Sequence, residues 1–220
     1  MYETIRENLL QIQEEIAPCK PKIIAVTKYF DKNAIIEAYK AGLRDFAESR
    51  TNEACQKIDS LPDEIRTNST FHFIGHLQTN KVKRTVKYFE YIHSVDSVKL
   101  AQHISEYAQQ LGKTQKILIQ INNANEEQKF GFSKSELFES FGQILKLSNI
   151  DIVGVMNMAP LGAEPDRISE LFKDITRTKN DLEKEFSCKL DEISMGMSQD
   201  YKIAVKAGST MLRIGRKLFK

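Results

Sequence analysis

No stretch of this sequence approaches the roughly 18 consecutive apolar residues of a membrane-crossing helix. Neither sign of charge dominates. Lys and Arg number 32 against 30 Asp and Glu, a formal net charge of +2. That balance provides no global basic field for nucleic acid or an anionic membrane. Cysteine is scarce: Cys19, Cys55 and Cys188 are far apart and form no C-x-x-C pair. Neither a disulfide framework nor a zinc site is indicated, and a reducing compartment fits. The start, Met1-Tyr2-Glu3-Thr4-Ile5-Arg6-Glu7, carries acids where a secretion signal needs an apolar run. A cytoplasmic protein is expected. There is no repeated motif, and no linker or shift in composition marks a boundary, so residues 1–220 are expected to form one domain. The 41% hydrophobic content suffices for a sizeable core.

What is present is organised around Ile23-Ile24-Ala25-Val26-Thr27-Lys28-Tyr29. It reads as a short buried strand ending on a lysine. A lysine among apolar neighbours loses hydration, which favours the neutral, nucleophilic amine that condenses with carbonyls. The alternative is that Lys28 reaches out to solvent along its aliphatic stem.

Before this strand, Ile5, Leu9, Ile12 and Ile16 recur at helical spacing, with Thr4 and Glu7 as a possible capping box. After it, helices and strands alternate. Asp31 caps a helix that stops at Gly42, and strand 2 is Arg44 to Ser49. A helix then runs to Pro62, and strand 3 is Phe71 to Gly75. A basic helix follows, then strand 4 (Tyr91 to Val95) and a helix started by Ser97 and ended by Gly112. Strand 5 is Lys116 to Asn122. The polar segment Asn123 to Lys129 reads as a mobile loop. Ser133 and Glu136 suggest a second capping box before the next helix. Strand 6 is Ile152 to Met156, and Pro165 opens a long helix. Strand 7 is Leu190 to Ser194, a short helix surrounds Ile203 and Ala204, and strand 8 is Met211 to Gly215. Strands alternating with helices imply parallel β-α-β units. Eight such units imply a closed (β/α)8 TIM-type barrel with an extra N-terminal helix, a fold of about 250 residues as a rule. An open doubly wound sheet would show a Gly-rich phosphate turn after strand 1, where Lys28-Tyr29-Phe30-Asp31 stands.

Such barrels build their sites at the carboxyl ends of the strands. Those ends deliver Lys28, Glu48, Ser49, His76, Asn122, Ser194, Met195, Arg213 and Gly215 to one rim. The glycine-bearing turns after strands 7 and 8 lie where phosphate commonly binds. A phosphate beside a nucleophilic lysine suggests a phosphorylated sugar, as in Schiff-base aldolases, or pyridoxal 5′-phosphate (PLP).

Several segments carry a resemblance: Ile24-Ala25-Val26-Thr27-Lys28, Phe71 through Lys81, Gly154-Val155-Met156, Ile193-Ser194-Met195-Gly196-Met197-Ser198, and Ala207 through Gly215. With these the chain resembles, over nearly its whole length, the PLP-binding homeostasis proteins. These are relatives of the alanine racemase barrel domain, a fold-type III PLP barrel without the C-terminal β-domain. The resemblance implies that Lys28 holds PLP as a Schiff base. It implies that Ser194 and the backbone at Gly215 and Arg216 cradle the phosphate, and that Arg213 lies at the ring nitrogen. An arginine there leaves the nitrogen unprotonated and the ring a weaker electron sink. Ser49, His76, Met156 and Met195 complete the expected contacts. Relatives usually read Gly-Glu-Asn where this chain reads Ala47-Glu48-Ser49, which substitutes a shorter hydroxyl for an amide.

Alanine racemases carry a second domain that supplies a catalytic tyrosine, and this sequence stops just after strand 8. The implied role is therefore buffering or delivery of PLP with little or no catalysis. PLP-dependent apo-enzymes are the expected recipients, and the barrel is expected to be a monomer. The rival is a weak PLP-dependent racemase or decarboxylase of amino acids. A third reading is a cofactor-free lysine aldolase.

His72 and His76, four apart on a strand, would stand about 13 Å from each other, too far to share a metal. His72 reads as packed, and His93 and His103 as structural or surface residues. Lys81, Lys83 and Arg84 read as a solvated helix face, and Cys55 and Cys188 as inert residues within helices.

Overall fold

The computed structural model describes residues 1–124 and 130–220. Most of the loop expected at Asn123 to Lys129 therefore lies outside the described residues. Eight strands close into a parallel barrel in sequence order. They are β1 (Lys22–Val26), β2 (Asp45–Glu48), β3 (Thr70–Phe73), β4 (Tyr91–Val95), β5 (Gln115–Gln120), β6 (Ile150–Met156), β7 (Glu192–Ser194) and β8 (Met211–Ile214). Closure is made by β8 against β1, with Lys22 opposite Met211 and Ile24 opposite Arg213. Around the barrel lie α1 (Tyr2–Ile16), α2 (Lys32–Lys40), α3 (Thr51–Asp59), α4 (Asp63–Thr67), α5 (Val82–Tyr88), α6 (Val98–Gln110), α7 (Lys134–Leu145), α8 (Pro165–Phe186), α9 (Tyr201–Lys206) and α10 (Arg216–Phe219).

Local chemistry sets several boundaries. The Asp31 side chain accepts from the Asn33 N–H at the start of α2, and Ser97 accepts from the Leu100 N–H at the start of α6. Ser133 and Glu136 form a complete capping box on α7, and α8 begins at Pro165. The box expected at Thr4 and Glu7 does not form: α1 begins at Tyr2, so Thr4 already lies inside the helix. Short helices α4 and α10 were not expected. Each contributes few apolar positions, Ile65 in one and Leu218 and Phe219 in the other, too few for a periodic signal.

The main core lies between barrel and helices. Phe46, Phe73, Phe89, Phe141 and Phe172 are sealed there, each contributing about 1.5–3 kcal/mol through burial. A smaller apolar cluster of Ile24, Val26, Ala47, Tyr91, Leu118, Met156 and Met211 fills part of the barrel interior. Because strand side chains alternate, Ser194 and Arg213 face inward while Met195, Leu212 and Ile214 join the outer layer.

Candidate functional site

Strand β1 ends at Val26, earlier than the sequence suggests, and Lys28 sits in the turn that follows. Its side chain is half-buried, not sunk in the core. Its Nζ lies 5.0 Å from the centre of the exposed Tyr29 ring. Among the described residues it makes no hydrogen bond or ion pair.

The neighbouring lysine is tied down. Lys57, on α3, donates to Glu48 Oε1 at 2.6 Å and to the Thr27 carbonyl at 3.0 Å. The Thr27 hydroxyl donates to the same carboxylate oxygen at 2.7 Å. This buried triad anchors the residue just before Lys28. Sequence spacing carried no sign of Lys57, because its partners arrive from β2 and from the turn after β1.

Arg213, on β8, is buried inside the barrel. Its Nη1 donates to the Ser194 carbonyl at 2.7 Å and to Ser194 Oγ at 2.6 Å, and its Nη2 to the Asn157 carbonyl at 2.8 Å. A guanidinium has five N–H donors. Two of them, the Nε–H and one Nη2–H, have no partner among the described residues. Burial lowers the Arg213 pKa to about 10, and the charge of Asp200 acts in the opposite direction. The group is still a cation at neutral pH.

The turn after β7 is shaped by Gly196. Its φ of +92° is a conformation that side-chain-bearing residues rarely adopt, and an added Cβ would stand 2.5 Å from the Ala204 methyl. Ser198, in the same turn, accepts the backbone N–H of Gly215 at 3.3 Å and of Lys217 at 3.1 Å. These two donors converge on one oxygen, as they would on an anion. Gly215 lies against Val26, with 3.5 Å from an added Cβ to the Val26 carbonyl, so β1 and β8 stay close here.

The other expected contacts are spread more widely. Ser194 is fully buried and its hydroxyl is engaged by Arg213 and by His93 Nδ1 at 2.9 Å. The hydroxyl at the turn is that of Ser198. Met195 packs in the layer between barrel and helices, turned away from the interior by strand alternation, whereas Met156 is inside. Arg216 opens α10 and is exposed. Ser49 and His76 border a cavity of about 310 Å³, lined also by Arg50, Asn52, Gln78 and Lys81. His76 stacks on Phe130 with ring centres 3.6 Å apart, and its Nδ1 is 3.2 Å from Asp96. His72 and His93, read from sequence as packed or structural, are hydrogen-bonded to each other inside the barrel. His103 pairs with Glu106 on α6. Cys188 falls just after α8 and not within it, and Cys55 is buried in α3, where desolvation raises its thiol pKa.

The parallel barrel thus carries a lysine after β1, an inward arginine on β8 and a glycine turn after β7. The chain belongs to the alanine racemase N-terminal domain family, whose model matches residues 2–220. A pyridoxal phosphate homeostasis protein of Synechocystis sp. is 40% identical over 202 residues, covering 92% of each chain. One from Aquifex aeolicus is 34% identical and covers 90% of this chain and 86% of its own. The structure of PipY from Synechococcus elongatus with PLP bound aligns with a TM-score of 0.89 at 34% identity, covering 98% of this chain and all (100%) of that one. An alanine racemase of Clostridium difficile, 19% identical with a TM-score of 0.78, shares the barrel, and this chain spans 56% of it.

Proposed function

We propose that this chain binds PLP at the carboxyl end of the barrel through Lys28 and serves PLP homeostasis, buffering or delivering the cofactor with little or no catalysis. Arg213 carries the reading: it is a buried cation with three N–H groups fixed and two left to meet a ligand atom. Relatives named for PLP homeostasis and a PLP-bound neighbour support it.

When bound, PLP supplies an aldehyde for a primary amine and a ring that can draw electrons from an attached carbon. The residues of this chain do the rest. Lys28 offers the amine. Lys57 and Glu48 hold the turn that presents it. The turn that holds Ser198 against the N–H groups of Gly215 and Lys217, with the backbone at Gly215 and Arg216, would receive the phosphate. Arg213 would donate toward the ring nitrogen and, as a cation, would oppose its protonation.

We read residues 1–220 as one barrel domain, monomeric and cytoplasmic, that passes PLP to apo-enzymes. Among the described residues no helix is long and apolar enough to cross a membrane. The test is equilibrium dialysis of the purified protein against PLP, with transfer to an apo-enzyme and racemisation of L-alanine measured alongside. Saturable binding, transfer and negligible racemisation are expected; rapid racemisation would favour the enzyme reading.

A further inference from the structure

A chain of polar side chains crosses the barrel interior, and the proposed role leaves most of it unexplained. Asp45 Oδ1 lies 3.0 Å from His72 Nε2, and His72 Nδ1 lies 2.9 Å from His93 Nε2. His93 Nδ1 lies 2.9 Å from Ser194 Oγ, which accepts from Arg213 Nη1 at 2.6 Å. His72, His93, Ser194 and Arg213 are buried. Asp45, at the amino-terminal end of β2, retains 21% side-chain exposure. Five strands therefore contribute to one line running from the barrel floor to the ligand end.

The two ends set its direction. A carboxylate only accepts hydrogen bonds and a guanidinium only donates them. His72 must then carry its hydrogen on Nε2. If its ring is neutral, Nδ1 accepts, so His93 donates from Nε2. The neutral His93 in turn accepts at Nδ1, and the only hydrogen available there is that of the Ser194 hydroxyl. A Ser194 lone pair remains for Arg213, and every link in the line pairs one donor with one acceptor. Reversing any link would set two donors or two acceptors face to face.

Burial holds both rings neutral, lowering each imidazole pKa. At His72, Asp45 and Glu192 favour the charged form while Lys22 opposes it. At His93, Arg213 and Lys22 add to the effect of burial, as would a charged His72.

We propose that Asp45, His72 and His93 are positioning residues for the ligand pocket. Their one-way chain turns the Ser194 hydroxyl hydrogen away from the pocket, so that Arg213 and not Ser194 donates to the bound ring. This deepens the reading that PLP sits beside Arg213 and depends on it. A proton added at His72 would reverse the line, make His93 Nδ1–H a donor and free the Ser194 hydrogen.

Two experiments test it. The first uses the ligand-free protein. Imidazole ¹⁵N–¹H spectra at neutral pH should show His72 and His93 as neutral Nε2–H tautomers. An Nδ1–H tautomer or a charged ring in either residue overturns the proposal whether or not PLP binds. The second uses the PLP-loaded protein with His93→Leu, His93→Asn and His93→Gln, each checked for folding by circular dichroism. Asn offers an acceptor near the Nδ1 position, toward Ser194; Gln offers a donor near Nε2, toward His72. His93→Leu and His93→Gln should weaken PLP binding about tenfold, the equivalent of one hydrogen bond, and shift the visible absorption maximum. His93→Asn should recover most of both. Equal effects from Asn and Gln, or an unmoved band and affinity in folded His93→Gln, overturn the proposal. If His93→Leu does not fold, the Asn and Gln pair decides. If the wild-type protein takes up no PLP yet shows the expected tautomers, the functional reading fails, and with it the chain's role toward PLP, while its direction stands.

Discussion

Lys57 Nζ lies 2.6 Å from Glu48 Oε1, with 13% and 3% of the two side chains open to solvent. Charges so sealed depend on each other. Removing one partner of a buried pair costs about 3–5 kcal/mol, largely because the other is left unpaired. Lys57→Met should therefore lower stability by about that amount, and Lys57→Met combined with Glu48→Gln should recover part of it. Urea unfolding of the three proteins checks this. A loss in Lys57→Met of only a few tenths of a kcal/mol, the scale of an exposed pair, would mean that the pair is not sealed in solution.

Glu15 ties α1 to the last helices. It accepts from the Tyr201 hydroxyl and pairs with Lys202 at 2.9 Å. The Tyr201 bond first, then that from Lys202, lowers its pKa from 4.5 to about 2. A carboxyl depressed by folding contributes stability above its unfolded value. That contribution is lost as pH falls from 4.5 toward about 2. Glu15→Gln should be less stable at neutral pH and should show a shallower decline over that window. Urea midpoints measured across the acid range test this. Parallel pH profiles for the two proteins would remove Glu15 from the acid limb.

Gly196→Ala should damage the turn that carries Ser198. The new methyl meets Ala204 at 2.5 Å on a backbone of φ +92°. Overpacking of this kind costs about 1–3 kcal/mol, and relief by movement of the turn would separate Ser198 from the N–H groups of Gly215 and Lys217. Thermal melts and PLP titration should both show a loss. An unchanged affinity would mean that the phosphate is held elsewhere.

The fold was legible because its signals are local. Apolar runs alternating with helical periods gave all eight strands, and Asp31, Ser97, Ser133 and Pro165 marked the helix starts where they stand. What remained hidden is set by contacts distant in sequence. Nothing around Lys57 announces a partner nine residues back. His72 and His93 reveal a line only once β3 and β4 lie side by side and Asp45 and Ser194 close its ends. The resemblance named Ser194 for the phosphate; its partners His93 and Arg213, and the second hydroxyl at the turn, Ser198, are brought in by strands distant in sequence. Met195 was displaced by strand alternation. Lys28 was expected at a strand end and stands two residues past it: the Thr27 N–H still reaches the Ala47 carbonyl of β2, and the chain then turns, with the Phe30 N–H on the Thr27 carbonyl.

In the proposed function, Lys28 is the amine that takes the PLP aldehyde. Borohydride reduction of the PLP-loaded protein, followed by peptide mapping, addresses it directly. A pyridoxyl group on Lys28, with the visible band lost in Lys28→Ala, is the predicted result. Label on Lys57 or another lysine, or an equally intense reducible band in Lys28→Ala, would contradict it.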